Sequence, residues 1–173
     1  KKEEAPVCTR FAVSCDYGTV NPSSFGLWGY CDGVWYRLKE YYYSSREKGI
    51  LRTDEEHYDA LEKLCESYDI EGVIADPSAA SFIECIRRHG HFRVKPADNN
   101  VISGIRRVSD ALRQKKLMFS ETCSDTLREF MLYVWDEKSG NDCPLKENDH
   151  AMDDVRYFVS TFLEEEKDSF FVL

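Results

Sequence analysis

The sequence lacks the signatures of several common classes of protein. No apolar stretch in the 173 residues approaches the length of roughly 20 residues that a membrane-spanning helix needs. The charged segment 1–4 is not followed by the apolar region of a signal peptide. Neither Gly-x-x-x-x-Gly-Lys-Ser/Thr nor Gly-x-Gly-x-x-Gly occurs, so we expect no nucleotide-binding loop. The 7 cysteines include no Cys-x-x-Cys pair, which predicts reduced, mostly buried thiols and gives no zinc-site spacing.

The balance of charge is negative. The 23 Lys and Arg residues are outnumbered by 32 Asp and Glu, and the formal charge of −9 argues against a protein that coats nucleic acid by neutralising phosphates. A hydrophobic share of 42% is enough for a packed core and excludes wholesale disorder. The length predicts a single domain over residues 1–173, and a first residue that is not Met indicates a processed or excised piece. Residues 138–148, rich in Gly, Asn, Asp and Pro, form the predicted mobile loop.

The hydrophobic pattern predicts an α/β fold. Alternation over residues 11–16 predicts a strand that ends at Asp16, and strands over 25–30 and 34–43 flank the turn signal Asp32-Gly33. These three strands form an antiparallel meander. A continuous apolar run over 72–76 predicts a buried strand ending at Asp76, and a short strand follows at 92–95. Helices are predicted over 53–68, 79–89, 101–117, 124–137 and 149–165, the first with a capping segment at Thr53. The result is a mixed sheet flanked by helices.

Acidic residues mark the ends of two predicted strands and the start of the last helix. Ligands of open α/β sheets bind beyond the carboxyl ends of the strands, where Asp16 and Asp76 both lie. On the last helix His150 and Asp153 are one turn apart and share a face. Converging carboxylates bind Mg²⁺ or Mn²⁺, and an imidazole fits Mn²⁺ better. Taken alone, an aspartate at a strand end is more often a turn or cap residue. Asp149, at the start of a helix, is expected to be the N-cap. Only their combination points to a metal site.

The ordered set of motifs resembles a known family. Ser-Cys-Asp-Tyr-Gly-Thr-Val-Asn-Pro at residues 14–22, Ile-Ala-Asp-Pro-Ser at 74–78 and Asp-His-Ala-Met-Asp-Asp-Val-Arg-Tyr at 149–157 are similar to the three acidic motifs of the large terminase nuclease domain of tailed bacteriophages. Segments 41–49 and 104–108 also resemble parts of that family. The resemblance covers most of the chain, from about residue 11 to residue 162. The resemblance implies an RNase H-like fold and a metal-dependent endonuclease that cuts concatemeric double-stranded viral DNA during genome packaging.

The resemblance also implies roles and partners. By motif, Asp16, Asp76 and Asp153 are the catalytic carboxylates, and together with His150 they hold two divalent cations, Mn²⁺ or Mg²⁺. Asp154 stays open as an alternative to Asp153. The implied partners are double-stranded DNA, bound weakly and without sequence preference, the N-terminal ATPase domain of the same polypeptide, the small terminase subunit and the procapsid portal. The implied location is the host bacterial cytoplasm, transiently at the portal vertex, with no membrane. Because the chain lacks a phosphate-binding loop, we expect it to be the nuclease half without the ATPase motor.

Other functions compete with this interpretation. One is a non-catalytic docking module of the packaging motor, and another is a resolvase-type RNase H-like nuclease. Residues 16–19 also match the Asp-x-Gly-Thr loop of actin-like and sugar kinases, but those proteins need two such domains and a longer chain. Two basic runs could hold DNA, although solvated helix faces explain them as well: Arg87, Arg88, His89, His91, Arg93 and Lys95, then Arg106, Arg107, Arg113, Lys115 and Lys116. The sequence assigns no DNA-binding residue.

Overall fold

A computed structural model describes residues 7–139 and 143–163 of the chain. Its strands are β1 (Arg10–Asp16), β2 (Ser23–Cys31), β3 (Val34–Tyr43), β4 (Ile70–Ala75), β5 (Val94–Pro96) and β6 (Leu117–Phe119). Its helices are α1 (Ser45–Lys48), α2 (Asp54–Cys65), α3 (Ala80–His89), α4 (Val101–Arg113), α5 (Ser124–Leu132) and α6 (His150–Tyr157), which continues as a π-helix (Phe158–Leu163). No helix in the described ranges is long and apolar enough to cross a bilayer.

The strands form one mixed sheet in the order β5-β4-β1-β2-β3-β6. The first three strands pair antiparallel, and the turn between β2 and β3 has positive φ at Asp32 and Gly33, as a two-residue hairpin loop of this kind requires. β4 runs parallel to β1, β5 parallel to β4, and β6 parallel to β3. The predicted α/β fold, with an antiparallel meander extended by parallel strands and flanked by helices, is therefore confirmed.

Both faces of the sheet are covered by helices, and the residues of β1 alternate between them. Val13 and Cys15 pack in a core with α2 and α3, whereas Ala12 packs in a second core with α6 and the π-helix. In that second core the ring of Trp28 stacks on Phe158 with centroids 4.1 Å apart. Burial on both sides holds β1 rigidly at the centre of the sheet, so the residue at its carboxyl end has a fixed position.

Several predicted boundaries differ from the structure. Helix α4 ends at Arg113, not at residue 117, because Lys115 takes a left-handed conformation (φ 56°) and Leu117 enters the core as the first residue of β6. Strand β6 and the four-residue helix α1 were not predicted. Strand β5 begins at Val94, two residues later than expected.

The region around the predicted mobile loop also differs. Helix α5 ends at Leu132, not at residue 137, and Trp135 then pairs with Pro144 in an antiparallel bridge. Residues 140–142 of the loop predicted over 138–148 lie outside the described residues, as do residues 164 and 165 at the predicted end of the last helix. Mobility of the loop stays a prediction.

Candidate active site

A cleft of about 520 Å³ opens where β1 and β4 end. Because these two strands are parallel, with Cys15 beside Ala75, the residues that follow them meet at one edge of the sheet. Asp16 and Asp76 therefore lie in the same cleft, and the first turn of α6 brings Asp153 to it. A larger groove of about 710 Å³ between β3 and α2 contains none of these carboxylates. The structure thus brings together the acids that the sequence separates by up to 137 positions, from residue 16 to residue 153.

Asp16 is the most strongly perturbed of the three carboxyls. It is buried, and its Oδ2 lies 2.9 Å from Nδ1 of His150. Burial is the main cause that raises the pKa of Asp16 to about 7, and the charge of nearby Asp153 raises it further, whereas the hydrogen bond with His150 lowers it. For His150, burial lowers the pKa, but the hydrogen bond and the charge of Asp16 outweigh burial and raise it overall. The pair is a buried acid and a partly exposed base that hold each other in place.

Asp76 is fixed by hydrogen bonds to both carboxylate oxygens. The backbone N–H of Ser78 donates to Oδ1 at 3.0 Å, and the hydroxyl of Tyr157 donates to Oδ2 at 2.9 Å. Burial raises the pKa of Asp76, but these bonds and a weaker one from Asn99 outweigh burial, so its pKa is below the usual value. Burial also raises the pKa of Tyr157 far above its usual range, so this hydroxyl stays protonated and donates. Asp76 therefore enters the cleft ionised and oriented.

Asp153 is held by an arginine one turn away. Nη2 of Arg156 donates to Oδ1 of Asp153 at 2.8 Å, and Nη1 donates to the carbonyl oxygen of Asn99 at 2.7 Å. Burial raises the pKa of Asp153, and Arg156 opposes this effect. Arg156 passes close to α4, where a Cβ on Gly104 would lie 2.5 Å from Cγ of Arg156. The glycine of segment 104–108 therefore makes room for the arginine that positions Asp153.

Asp154 points away from the cleft, although it is the next residue along α6. Its side chain is fully buried, and Oδ2 accepts from Nη2 of Arg37 at 2.6 Å and from the hydroxyl of Ser24 at 2.9 Å. Arg37 is also fully buried and fits only because position 26 is glycine, since a Cβ there would lie 1.9 Å from Nη1. The geometry therefore separates the two adjacent aspartates: Asp153 lines the cleft, whereas Asp154 belongs to a core ion pair.

The start of α6 is capped in an unexpected way. Asp149 occupies the cap position, as expected, but its side chain accepts no capping hydrogen bond, so the expected side-chain cap is wrong. Fully buried Glu129 of α5 accepts from the backbone N–H of Ala151 at 2.6 Å instead, and from the hydroxyl of Tyr42 at 2.6 Å. Glu129 thus fixes the turn that carries His150. No pattern in the sequence around Glu129 marks this role, whereas Tyr157 could have been found from its spacing of four residues from Asp153.

The cations of the cleft are not those of the predicted basic runs. Arg46, Arg128 and Lys146 line it, each from a different segment. Within the described ranges, the lining of the cleft includes no residue of either basic run. Some members of those runs are instead paired with carboxylates elsewhere: Arg88 and His89 with Glu55, Arg107 with Asp98, and Arg113 with Asp110. The cleft cations belong to no basic run in the sequence, so clustering of charge does not mark them.

A mixed six-stranded sheet of this order, with acids at the ends of β1 and β4 and on the last described helix, defines an RNase H-like domain. The family model of the terminase RNaseH-like domain matches residues 30–162, and the chain belongs to that family. This confirms the family and fold that the motifs implied.

Individual relatives agree. The large terminase of a thermophilic bacteriophage, solved in complex with ADP, is 47% identical, with a TM-score of 0.89 over 92% of this chain and 41% of that one. The large terminase subunit of Escherichia phage T5 is 22% identical over 72% of this chain and 30% of its own length. The large terminase nuclease domain of bacteriophage SPP1, solved with bound Mn, shares the fold at 19% identity, with a TM-score of 0.58 over 94% and 88% of the two chains. The chain spans less than half the length of the first two.

Proposed function

We propose that this domain is a metal-dependent endonuclease that cuts concatemeric double-stranded DNA during viral genome packaging. The observation that carries the proposal is the convergence of Asp16, Asp76 and Asp153 from three separate elements in one open cleft. Family membership supports a nuclease role connected with packaging, and the SPP1 relative was solved with manganese. The three aspartates would be the catalytic residues.

The residues present suit hard divalent cations. Asp16, Asp76 and Asp153 offer carboxylate oxygens, and His150 adds a nitrogen that Mn²⁺ accepts. The raised pKa values of Asp16 and Asp153 also support a cation site, because buried carboxyls that lack sufficient positive charge gain most from a bound ion. Two bound ions, Mn²⁺ or Mg²⁺, would supply activation of water and neutralisation of the charge on phosphate.

The surrounding side chains keep the carboxylates in place. Tyr157 restrains Asp76, Arg156 restrains Asp153, and Nδ1 of His150 restrains Asp16. Such restraint matters because catalytic carboxylates must be positioned before the substrate arrives. It also means that the site stays assembled in the absence of DNA.

The wall of the cleft carries three cations beside its carboxylates. Arg46, Arg128 and Lys146 would bind phosphates on either side of the scissile bond. Arg128 is paired with Asp125 and Glu129. Arg46 and Lys146 form no ion pair among the described residues, so they are available to a ligand. The net charge of −9 makes binding of DNA by this domain alone weak, salt-sensitive and independent of sequence.

The domain would act as part of a larger machine. We propose that residues 1–173 form the nuclease unit of a polypeptide whose N-terminal ATPase domain moves DNA, with the small terminase subunit and the portal as further partners. It would work in the host cytoplasm and transiently at the portal vertex. The support is the large terminase of the thermophilic bacteriophage, a longer chain solved in complex with ADP.

The test is plasmid cleavage in Mn²⁺ with the purified domain. Asp16→Asn, Asp76→Asn and Asp153→Asn should each abolish cleavage, whereas Asp110→Asn, whose partner Arg113 lies outside the cleft, should cut as the wild type does. Retained cutting in any of the first three variants would contradict the assignment of that residue. A wild type that binds no Mn²⁺ at millimolar concentration and never cuts would favour the docking module, and a strong preference for branched DNA would favour the resolvase.

Binding of DNA phosphates needs a separate measurement. Fluorescence anisotropy with a short duplex in Ca²⁺ should show that Arg46→Ala and Lys146→Ala each weaken binding and lower the slope of log affinity against log salt by about 1. Arg106→Ala, which lies outside the cleft, is the matched control. An effect confined to Arg106→Ala would place the DNA elsewhere.

A further inference from the structure

A second group of metal-binding side chains lies between α2 and α3, away from the cleft. It consists of Glu55, Cys85 and His89, and one donor atom from each lies within 4.8 Å of the other two. None of the three lines the acidic cleft. The cluster is therefore spatially distinct from the site of the proposed nuclease.

The two helices present these side chains to one another. Cys85 and His89 are four residues apart on α3, so the helix places both on one face. Glu55 reaches them from the first turn of α2, with Oε2 2.7 Å from Nε2 of His89. The sulfur of Cys85 lies within 4.8 Å of a donor atom of each of the other two side chains. The two helices thus bring all three donor atoms close together.

Neighbouring side chains fix the orientation of two of the ligands. The ring of His89 stacks on Tyr58, with centroids 3.7 Å apart and planes 10° from parallel, which directs Nε2 towards Glu55. Nη2 of Arg88 holds the other oxygen of Glu55 at 2.6 Å. Partners of this kind, which hold a ligand from behind, are a regular feature of metal sites.

We propose that Glu55, Cys85 and His89 bind a zinc ion that joins α2 to α3. One sulfur, one nitrogen and one oxygen suit tetrahedral Zn²⁺, with water as the fourth ligand, whereas Mg²⁺ and Mn²⁺ prefer oxygen alone. When the zinc–sulfur bond forms, the thiol proton leaves to solvent, and His89 binds in its neutral form. The Glu55 side chain is 54% exposed, so it is free to make the small shift that admits the ion.

Spacing along the chain gives no sign of the complete site. The sequence contains no Cys-x-x-Cys pair, and Glu55 lies 30 positions before Cys85. A zinc ion that binds only the folded chain would raise its stability by mass action and would restrain two helices on the same face of the sheet. The chain would then hold metal of two classes at two separate places.

The experiment is a cobalt titration of Asp16→Asn protein in a thiol-free reductant, since Co²⁺ reports its ligands by its absorption spectrum. The substitution weakens the carboxylate cleft as a competing site. We expect one equivalent of Co²⁺ to give a thiolate-to-cobalt charge-transfer band, Zn²⁺ to displace it, and Zn²⁺ to raise the midpoint of thermal unfolding by several degrees.

Variants of the ligands decide the outcome. Adding Cys85→Ser or His89→Gln should remove both the band and the thermal shift, whereas adding His91→Gln, which pairs with Glu62 nearby, should keep them. His89 is partly exposed, so its substitution tests the site even if the Cys85 variant does not fold. No thiolate band, or a band that survives either ligand substitution, would overturn the proposal. Plasmid cleavage by the wild type is independent of these results, so the zinc site and the nuclease can fail separately.

Discussion

The two adjacent aspartates of α6 should respond differently to replacement by asparagine: Asp154→Asn should lower stability, whereas Asp153→Asn should abolish cleavage. In Asp154→Asn the fully buried guanidinium of Arg37 loses its charged partner. Its Nε and Nη1 already have no hydrogen-bond partner among the described residues. Removing one member of a buried ion pair costs about 3–5 kcal/mol, because the remaining charge stays buried. For a domain of this size, about 2–4 °C is lost per kcal/mol, so the unfolding midpoint should fall by about 6–20 °C.

Asp153→Asn should cost less than Asp154→Asn, because the Asp153 side chain is 26% exposed to the cleft whereas that of Asp154 is fully buried. We expect the midpoint to fall by no more than about 4 °C, which corresponds to about 1 kcal/mol. An asparagine oxygen can still accept from Arg156, and the loss of charge relieves the repulsion with Asp16. The same variant should nonetheless lose cleavage. The pair of substitutions therefore separates a structural from a catalytic aspartate by two independent readouts.

The assay is thermal unfolding followed by circular dichroism in metal-free buffer, with plasmid cleavage in Mn²⁺ measured well below either midpoint. Replacing both partners, Arg37→Met with Asp154→Leu, should recover most of the lost stability, since apolar residues can substitute for a buried pair. An Asp154→Asn midpoint within about 2 °C of the wild type would refute the reasoning, because this change is less than the smallest loss expected for a broken buried pair. An Asp153→Asn protein that still cuts would refute it as well.

Three further predictions concern single contacts. His57 is fully buried, and burial followed by the charge of Arg52 lowers its pKa to about 4. Below pH 6.5 the unfolded chain takes up a proton that the folded chain does not, so the free energy of unfolding should fall by about 3 kcal/mol between pH 6.5 and 4. In urea titrations, His57→Gln should lose that part of the pH dependence. Gly104→Ala should cost about 1–3 kcal/mol in thermal unfolding and weaken Mn²⁺ binding in calorimetry, because its Cβ collides with the arginine that holds Asp153; unchanged binding would contradict this. Tyr157→Phe should lower the rate of cleavage about 10–100-fold with little change in the midpoint, since Asp76 loses a restraining hydrogen bond.

Residues at strand ends were the part of the site that local pattern could predict. Alternation in β1 and the apolar run of β4 place Asp16 and Asp76 at carboxyl ends, and parallel pairing makes those ends neighbours. The antiparallel meander was equally predictable, because Asp32 and Gly33 carry the turn. The strands, their terminal acids and the turn depend only on residues close together in the chain, whereas the pairing of β1 with β4 joins residues about 60 positions apart.

The choice between Asp153 and Asp154 could not be made in that way. It depends on Arg37, which lies 117 positions earlier and neutralises the carboxylate that α6 directs into the core. Strand β6 was missed for a similar reason, since its three residues become a strand only by pairing with Trp35 and its neighbours in β3. The cap supplied by Glu129 and the cations of the cleft likewise come from distant segments.

The central claim is that the three carboxylates form a divalent-cation site. Crystals of the domain soaked in millimolar Mn²⁺ test it most directly, through anomalous scattering recorded at the manganese edge. The account predicts manganese in contact with Asp16, Asp76 and Asp153 and none beside Asp154. An empty cleft, or manganese bound only elsewhere while the protein still cuts DNA, would contradict it.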